Sequence, residues 1–424
     1  MDLRRGLQSR LRTNRREAHL PVVPALVRAG VRFGSRLLAA AGRVLAPNSD
    51  PSPQPIGVAV RQARELAIVA LSEIGDAVLF SVFLRNVRAV APRVRVTLVV
   101  RPEVAPLFAH SPHVDVLLSY DPTAPRTLRM LILPFRAYRF ARRRLRDVQY
   151  DVAVVPRWDV DHHLATAIML FSGARRRVGV SETVNERKRL LNAGFDSLLT
   201  DVFVDKSSVH EVEHYLRLLR FLGGGDLDGA LELSISSEDR SVAQNSLIRG
   251  GLRPGERIVA FGIGAAHPKR RWPLTRFVEL GVVLHDRLGV RVAVVGGSDD
   301  VASQSRIVDG LGSFAIPLAG VLTLPQTAAA LGCCALFVGN DSAPVHLAAA
   351  VGVPCVEISC HPVSADPAHV NAPERFGPWG VRSVIVRPEA AEVGCSHACI
   401  ADTAHCIRGV TTATVLEACE ELLR

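Results

Sequence analysis

The strongest constraint on the fold is an alternation of short apolar segments with helix-like segments, which occurs twice along the chain. It runs from residue 66 to 172 in the first half and from 257 to 359 in the second half. Such alternation predicts a parallel, doubly wound sheet in each half. The sequence therefore predicts an α/β protein with two Rossmann-like domains that face each other across a cleft.

The predicted elements follow the apolar periodicity. Strands are predicted at 66–71, 95–100, 114–119, 151–155, 257–261, 290–295, 335–338 and 355–359. Helices are predicted at 77–90, 102–110, 128–146, 162–172, 274–288, 301–311, 324–331 and 345–351. Pro134 is expected to break the helix over 128–146 or to restart it in its first turn.

Composition sets the domain boundaries and excludes two classes of protein. At 424 residues and 48% hydrophobic, the chain is too apolar to be disordered, and 8 Cys are too few for a disulfide scaffold. We predict a basic extension and linker over 1–55, a first domain over 56–222, a Gly-, Asp- and Ser-rich connection over 223–255, and a second domain over 256–424.

Two segments account for the formal net charge of +10. Residues 1–55 contain ten Arg against three acidic residues, and residues 126–146 contain eight Arg and no acidic residue. Arg interrupts the apolar stretch 22–46, so neither a membrane-spanning helix nor a cleavable signal is expected there. A helix lying on an anionic membrane and a solvated leader remain equal alternatives for that stretch.

The second basic segment, 126–146, interleaves apolar residues with Arg at near-helical spacing. We favour an anionic lipid or glycolipid as its partner, although a solvated helix face fits equally well. Nucleic acid is not an expected partner, because the sequence shows neither aromatic stacking platforms nor a reading helix.

Four glycine-containing turns follow predicted strands, where open parallel sheets bind ligands. In the first, Gly75 allows a tight turn, and Asp76 is either a helix N-cap or a general base at the mouth of the cleft. In the second, Gly262 and Gly264 allow close backbone approach, and the basic residues from Lys269 to Arg271 either bind a diphosphate or form a solvated loop.

The other two turns also lie in the second half. Asp341 and Ser342 precede a helix whose first amides suit phosphate oxygens, Pro344 fits its first turn, and His346 either faces the ligand or packs internally. In the turn 294–300, Asp299 or Asp300 either accepts hydrogen bonds from ribose hydroxyls or caps the next helix.

In this order the turns resemble those of glycosyltransferase family 9, the lipopolysaccharide heptosyltransferases. The resemblance runs from about Glu65 to the C-terminus and is carried by Ser72–Asp76, the Lys-Arg-Arg-Trp-Pro segment ending at Pro273, the block 339–350 and Phe376–Gly380. The closing cysteines, Cys395, Cys399 and Cys406, resemble a pattern at the end of many members.

The resemblance implies a GT-B fold and inverting transfer of a heptose or related sugar from a nucleotide-sugar donor, usually ADP-heptose. The implied acceptor is a lipopolysaccharide-type or other cell-envelope glycan, and the implied location is cytoplasmic, on the inner face of the plasma membrane. No metal and no cofactor besides the donor substrate are implied. The implied donor-side residues are Gly262, Gly264, Lys269, Arg270, Asp300, Leu322, Asp341, Ser342, Ala343, Pro344 and His346.

The resemblance makes Asp76 the catalytic base, and the acceptor side is assigned Gly75, Arg101, Arg157 and Asp161. Three departures stand against the family pattern. Ala343 replaces a usual glycine, residues 358–375 replace a family segment, and Pro156–His163 replaces the usual acceptor loop. The alternatives are a different donor sugar, a non-catalytic GT-B scaffold and a sugar-nucleotide epimerase.

The cysteines also admit a metal-site interpretation. Cys395, Cys399 and Cys406, with Cys355, Cys360, His361, His397 and His405, are able to form a zinc site. The spacing is a weak signal because no CxxC pair is present, so we expect reduced thiols and disfavour a disulfide.

Overall fold

The computed structural model describes residues 54–125, 129–367, 369, 372–396 and 398–424. The basic extension before residue 54, with its segment 22–46, lies outside the described residues. So do residues 126–128 of the second basic segment, and His397.

The described strands form two six-stranded sheets in which all paired strands are parallel. The first sheet contains β1 (Glu65–Val69), β2 (Arg95–Val100), β3 (Val116–Ser119), β4 (Val152–Val155), β5 (Arg176–Val180) and β6 (Asp201–Phe203). The second contains β7 (Ile258–Gly262), β8 (Arg291–Val295), β9 (Ala315–Pro317), β10 (Leu336–Asn340), β11 (Cys355–Ile358) and β12 (Ser383–Val386).

Both sheets have the same strand order. It is β3-β2-β1-β4-β5-β6 in the first sheet, and β12-β11-β10-β7-β8-β9 repeats that order in the second. The order reverses between β1 and β4 and between β7 and β10, and ligands of doubly wound sheets bind beyond the carboxyl ends of the strands at this reversal. The predicted pair of Rossmann-like domains in a GT-B fold is confirmed.

Most helices connect successive strands, whereas the first precedes β1 and the last follows β12. Those of the first half are α1 (Ile56–Gln62), α2 (Ile74–Val90), α3 (Arg129–Arg144), α4 (Ala165–Phe171), α5 (Glu186–Leu191) and α6 (Glu211–Phe221). They are followed by α7 (Ser237–Arg249), α8 (Leu274–Leu288), α9 (Val301–Leu311), α10 (Leu324–Leu331), α11 (Ala343–Ala350), α12 (Pro373–Phe376) and α13 (Thr412–Leu423).

Two helix predictions are wrong. The segment 102–110 contains only the short 3-10 helix Ala105–Phe108, because Pro102 and Pro106 remove backbone donors from it. The helix α3 runs through Pro134 without a break. Its inward face, with Leu133, Ala137 and Ala141 buried, holds the helix against the core despite the lost hydrogen bond.

Packing between helices joins the two halves. Helix α2, which follows β1, packs against α11, which follows β10, and the larger apolar cluster includes residues of both. This contact brings the first turn of each helix, and so two of the predicted functional turns, to the same gap. In the part of the chain that the structure describes, every helix is too short or too polar to cross a membrane.

Candidate active site

Asp76 lies in the first turn of α2, but it is not the N-cap residue of that helix. The N-cap position belongs to Glu73, whose side chain makes no capping hydrogen bond. The Asp76 side chain is 19% exposed, and its Oδ2 accepts a hydrogen bond from Nη1 of Arg157 at 2.9 Å. The interpretation of Asp76 as an N-cap is therefore wrong, and the carboxylate remains accessible at the gap.

Arg157 and Asp76 come from the two strands that flank the reversal of the first sheet. Arg157 follows β4, and its Nε donates to the carbonyl of Val160 at 2.9 Å. The Nζ of Lys188 donates to the carbonyls of Arg157 and Trp158 at 3.0 and 3.1 Å, and burial lowers its pKa to about 8. These bonds fix the 157–160 backbone, so Arg157 holds the carboxylate of Asp76 in place.

Arg101 lies beside the entrance of α2, in ion pairs with Glu73 and Glu103. A hydrogen bond from His163 lowers the pKa of Glu73 to about 2 despite its partial burial, and Arg101 adds to the effect. The Arg101 guanidinium is therefore already compensated by two carboxylates, close to the turn that carries Asp76.

Asp161, which is predicted on the acceptor side, is buried in a set of local hydrogen bonds. It is 5% exposed, and its carboxylate accepts hydrogen bonds from the amides of Ala165 and Thr166 at 2.9 Å each. Its Oδ2 also accepts one from the Thr166 hydroxyl at 2.9 Å. The Asp161 carboxylate thus accepts hydrogen bonds from backbone amides at the start of α4 that have no partner within the helix, as capping carboxylates do.

Gly75 also differs from its prediction. It lies within α2 and is not among the glycines with positive φ, so no tight turn requires it. A β-carbon at Gly75 would instead lie 2.7 Å from Cδ2 and 3.2 Å from Nε2 of His346. Glycine is needed here because the imidazole from the second half occupies the space.

His346 is buried in the first turns of α11, at 4% exposure. Burial, reinforced by His210 and Arg270, lowers its pKa to about 3, so the ring is neutral at physiological pH. Its Nδ1 has no hydrogen-bond partner within the described ranges. The ring therefore faces the first half as a neutral polar group beside the turn that carries Asp76.

The basic loop after β7 presents Arg270, and not Lys269, to the gap. Nη1 of Arg270 lies 3.1 Å from Oδ2 of Asp341, with the two side chains 15% and 12% exposed. Lys269 turns the other way and donates from Nζ to the carbonyl of Cys399 at 2.8 Å. Nε of Arg270 has no partner among the described residues, so this guanidinium retains a donor.

Asp341 links the two halves electrostatically. Burial raises its pKa, the charge of Arg270 opposes the rise, and the negative charge of Asp76 adds to it. The two carboxylates lie on facing elements, since α2, which carries Asp76, packs against α11, which Asp341 precedes.

The turn after β10 is held by the side chain of Asn340. Its Oδ1 accepts from the amide of Trp272 at 2.9 Å, and its Nδ2 donates to the carbonyl of Ile263 at 2.8 Å. Ser342 occupies the N-cap of α11 without making a side-chain cap bond, and Ala343 and Pro344 begin the helix. The Ser342 hydroxyl oxygen therefore accepts no capping hydrogen bond from the backbone amides at the start of α11.

Asp300 lies between the glycine turns that follow β7 and β8. Its Oδ2 accepts from the amide of Gly297 at 3.1 Å, and a β-carbon at Gly264 would lie 2.2 Å from the same oxygen. Asp300 sits at the N-cap of α9 but makes no capping bond to that helix.

A β-carbon at Gly262 would meet the Phe337 ring at 2.4 Å, so packing requires that glycine. Leu322 lies just before α10, half-buried.

Sequence reasoning missed a buried group that connects the two halves. Arg375 of α12 pairs with Glu211 of α6 at 3.1 Å and lies 4.6 Å above the Trp158 ring, which stacks on His214. Burial raises the pKa of Glu211 to about 7 even though Arg375 opposes the shift. The partners lie far apart in sequence, so spacing carried no signal for the group.

Glu357 was missed as well, although an acidic residue in an apolar strand is a visible signal. It is 1% exposed, and neither carboxylate oxygen has a partner within the described part of the chain. Burial raises its pKa well above the ordinary range, and the charge of Asp341 raises it further. Glu357 is therefore a neutral acid behind the Arg270–Asp341 pair.

A family model decides the class of protein. The model of glycosyltransferase family 9 (heptosyltransferase) matches residues 138–402, more than half of the chain. The chain belongs to glycosyltransferase family 9. The expected resemblance is confirmed, and the protein is a heptosyltransferase-like glycosyltransferase.

Relatives of this family 9 glycosyltransferase agree with its fold. Lipopolysaccharide heptosyltransferase 2 of Escherichia coli K12 is 26% identical over 309 residues, which cover 69% of this chain and 82% of the relative. A family 9 glycosyltransferase structure from Veillonella parvula aligns with a TM-score of 0.69 at 22% identity, covering 85% of this chain and 97% of the other. The structure of E. coli ADP-heptose LPS heptosyltransferase II aligns with a TM-score of 0.61 at 21% identity. The alignment covers 85% of this chain and 98% of the other.

Proposed function

We propose that this glycosyltransferase is an inverting enzyme that transfers a heptose or related sugar from ADP-heptose to a lipopolysaccharide-type acceptor. The observation that carries the proposal is the packing of the turn that bears Asp76 against the start of α11, which follows the Arg270–Asp341 pair. A carboxylate thus faces a cationic site at a helix start, which suits a proton acceptor opposite a leaving diphosphate.

In this mechanism Asp76 takes the proton from the attacking acceptor hydroxyl. The hydroxyl oxygen bonds to the anomeric carbon while the bond from that carbon to the diphosphate oxygen breaks on the opposite face. The electron pair leaves with the diphosphate, and the single displacement inverts the anomeric configuration. Arg157 orients the carboxylate through the 2.9 Å hydrogen bond, so that the base is positioned before the acceptor binds.

The leaving diphosphate is stabilised by Arg270 and by the start of α11. Nε of Arg270 has no partner among the residues that the structure describes, and the first amides of α11 offer the partial positive charge of a helix N-terminus. Because these groups would stabilise the negative charge of the leaving diphosphate, we propose that the transfer step needs no metal. Lys269 is omitted from this role because its ammonium is bound to the Cys399 carbonyl.

The nucleoside part of the donor is placed along β8. Asp300, held between the two glycine turns, is the proposed acceptor of hydrogen bonds from ribose hydroxyls, as acids beyond strand ends are in other doubly wound folds. Leu322 is proposed to lie near the base. The choice of ADP-heptose is supported by the names of the related E. coli proteins.

The acceptor is proposed to approach from the side of the first half, over Arg101 and Arg157, near the basic helix α3. Residues Leu133, Ala137 and Ala141 of α3 are buried, whereas Arg139, Arg142 and Arg143 are exposed together with Phe135, which is 63% exposed. A basic, partly apolar face of this kind suits the anionic headgroup of a glycolipid. We therefore propose a peripheral location on the inner face of the plasma membrane.

A thermal-shift panel tests the donor. The full chain is mixed in turn with ADP-heptose, ADP-glucose, UDP-glucose and GDP-mannose. In a second reaction a lipopolysaccharide-type acceptor is added, and the anomeric configuration of the product is read by NMR. We expect stabilisation by ADP-heptose above the others, and an inverted product. A larger shift with another sugar nucleotide would replace the donor, retention of configuration would overturn the single displacement, and no shift with any nucleotide would favour a non-catalytic scaffold.

Vesicle flotation tests the membrane proposal. The full chain and a chain lacking residues 1–55 are floated with vesicles of anionic or of zwitterionic lipid, and each is compared with a form in which Arg139, Arg142 and Arg143 are replaced by Gln. We expect flotation only with anionic lipid, reduced by the Gln replacements. Equal flotation of all forms would dismiss both basic segments as membrane contacts.

A further inference from the structure

Three cysteines and a histidine near the C-terminus converge on one point. Cys395, Cys399, His405 and Cys406 each offer a ligand atom, and these atoms all lie within 4.8 Å of one another. Cys399 and Cys406 are buried, Cys395 and His405 are half-buried, and the three cysteines are free thiols. None of these four side chains has a role in the proposed transfer reaction.

The distances match a tetrahedral metal site. Nδ1 of His405 lies 3.6 Å from Sγ of Cys395 and 3.5 Å from Sγ of Cys406. A zinc ion with bonds of about 2.3 Å to sulfur and about 2.0–2.1 Å to nitrogen separates these ligands by about 3.5–3.6 Å in a tetrahedron. One imidazole nitrogen equidistant from two thiols is poor geometry for a single hydrogen bond but is the expected arrangement around an ion.

We propose that Cys395, Cys399, His405 and Cys406 bind one thiophilic metal ion, and we expect that ion to be Zn²⁺. Three thiolates and an imidazole form a complete ligand set that leaves no open position, which is typical of structural zinc sites. The sequence spacing had favoured reduced thiols because no CxxC pair is present. The fold brings together what the spacing separates, since His405 and Cys406, at the start of the short 3-10 helix Cys406–Gly409, lie beside the first two cysteines.

The position of the cluster indicates what the ion would do. The segment that carries it is bound to the basic loop and helix α8 by three hydrogen bonds. Lys269 Nζ donates to the Cys399 carbonyl at 2.8 Å, Arg276 Nη1 to the Arg408 carbonyl at 2.7 Å, and Trp272 Nε1 to the Val410 carbonyl at 2.9 Å. An ion bound by residues 395–406 would fix the Cys399 carbonyl directly and anchor the start of the segment that carries the Arg408 and Val410 carbonyls, and would so support the basic loop.

Metal analysis of the full chain tests the proposal. The protein is purified under reducing conditions, and its metal content is measured by mass spectrometry for the unaltered chain, Cys399→Ser and the matched control Cys333→Ser, which changes an exposed cysteine outside the cluster. We expect one equivalent of zinc in the unaltered chain and in the control, and less than a tenth of an equivalent in Cys399→Ser. One equivalent of iron with the same dependence would uphold the site and replace the ion.

Cobalt substitution keeps the test independent of whether a variant folds. Co²⁺ added to the metal-stripped, unaltered chain is expected to give the visible absorption of a tetrahedral thiolate site, and His405→Cys is expected to retain it with stronger sulfur charge-transfer bands. Trypsin is expected to cleave after Arg408 faster once metal is removed. No metal in the unaltered chain, a disulfide among the three cysteines, or a full equivalent retained in folded Cys399→Ser would each overturn the proposal.

Discussion

The imidazole of His346 fills the space where a side chain on Gly75 would begin, with Cδ2 of the ring 2.7 Å from the position of that β-carbon. The two residues belong to different halves, Gly75 to the helix after β1 and His346 to the helix after β10. We expect their contact to influence the distance between Asp76 and the Arg270–Asp341 pair, and so the rate of the proposed reaction.

Gly75→Ala is expected to lower kcat/KM by about tenfold or more because the added methyl group pushes the two helix starts apart. Thermal stability should change little, since alanine is favoured over glycine in a helix by about 1 kcal/mol, which offsets part of the clash. A double-mutant cycle with His346→Ala should give a coupling energy of about 1–3 kcal/mol in kcat/KM. Additivity of the two substitutions would contradict the contact.

Arg270→Gln and Lys269→Gln each remove one positive charge, and the two residues are adjacent in sequence, so each variant serves as a control for the other. We expect Arg270→Gln to weaken ADP binding by about 2 kcal/mol or more, roughly 30-fold, because it removes a partly buried cation that faces the diphosphate. Lys269→Gln should weaken it less than about fivefold, measured by calorimetry, because that ammonium binds a carbonyl on the other side. The reverse order of effects would contradict the assignment of Arg270.

Asp161→Ala tests a structural role against an acceptor role. Loss of the hydrogen bonds to the start of α4 should lower the free energy of unfolding by about 1–2 kcal/mol. The KM for the acceptor should remain within about twofold of the unaltered value, since no catalytic geometry depends on the carboxylate. A large rise in that KM with unchanged stability would return Asp161 to the acceptor side.

Glu211 gives the protein a specific dependence of stability on pH. Its pKa is about 7 in the folded state against an ordinary 4.5, so the folded chain binds a proton that the unfolded chain releases between these values. The contribution of Glu211 to stability therefore falls as pH rises from about 4.5 to about 7.

Urea unfolding at pH 5 and pH 7.5 measures this effect. Between pH 5 and pH 7.5, we expect the free energy of unfolding of the unaltered chain to fall by roughly 1–3 kcal/mol more than that of Glu211→Gln. An equal loss in both proteins would mean that Arg375 keeps the carboxylate charged throughout this range.

The strands beside the two reversals were predictable, whereas β5, β6, β9 and β12 were not predicted. The strands that line the two reversals, β1, β4, β7 and β10, are short apolar runs, so their pattern was visible in the sequence. The strand β5 begins with Arg176 and Arg177, and Arg176 is accommodated through its pair with Asp201 of β6, Nε to Oδ2 at 2.8 Å. A sequence pattern does not show that two such charges meet.

The candidate site was predictable where a function follows from position at a strand end. Asp76, Asp300 and Asp341 were found because parallel strands gather their carboxyl ends at one edge of a sheet. Side-chain direction was not predictable: whether Lys269 or Arg270 faces the gap depends on the carbonyl of Cys399, 130 residues along the chain. The pairing of Glu211 with Arg375, 164 residues apart, depends on tertiary contacts in the same way.

The most direct test of the account is Asp76→Asn, assayed for both sugar transfer and ADP binding. The amide keeps the shape and the hydrogen bond to Arg157 but has no basic oxygen that takes the acceptor proton. We predict that kcat falls by about 10²–10⁴-fold, while the Kd for ADP stays within about twofold of its unaltered value. Transfer that persists within about tenfold of the unaltered rate would contradict the role of Asp76 as the base.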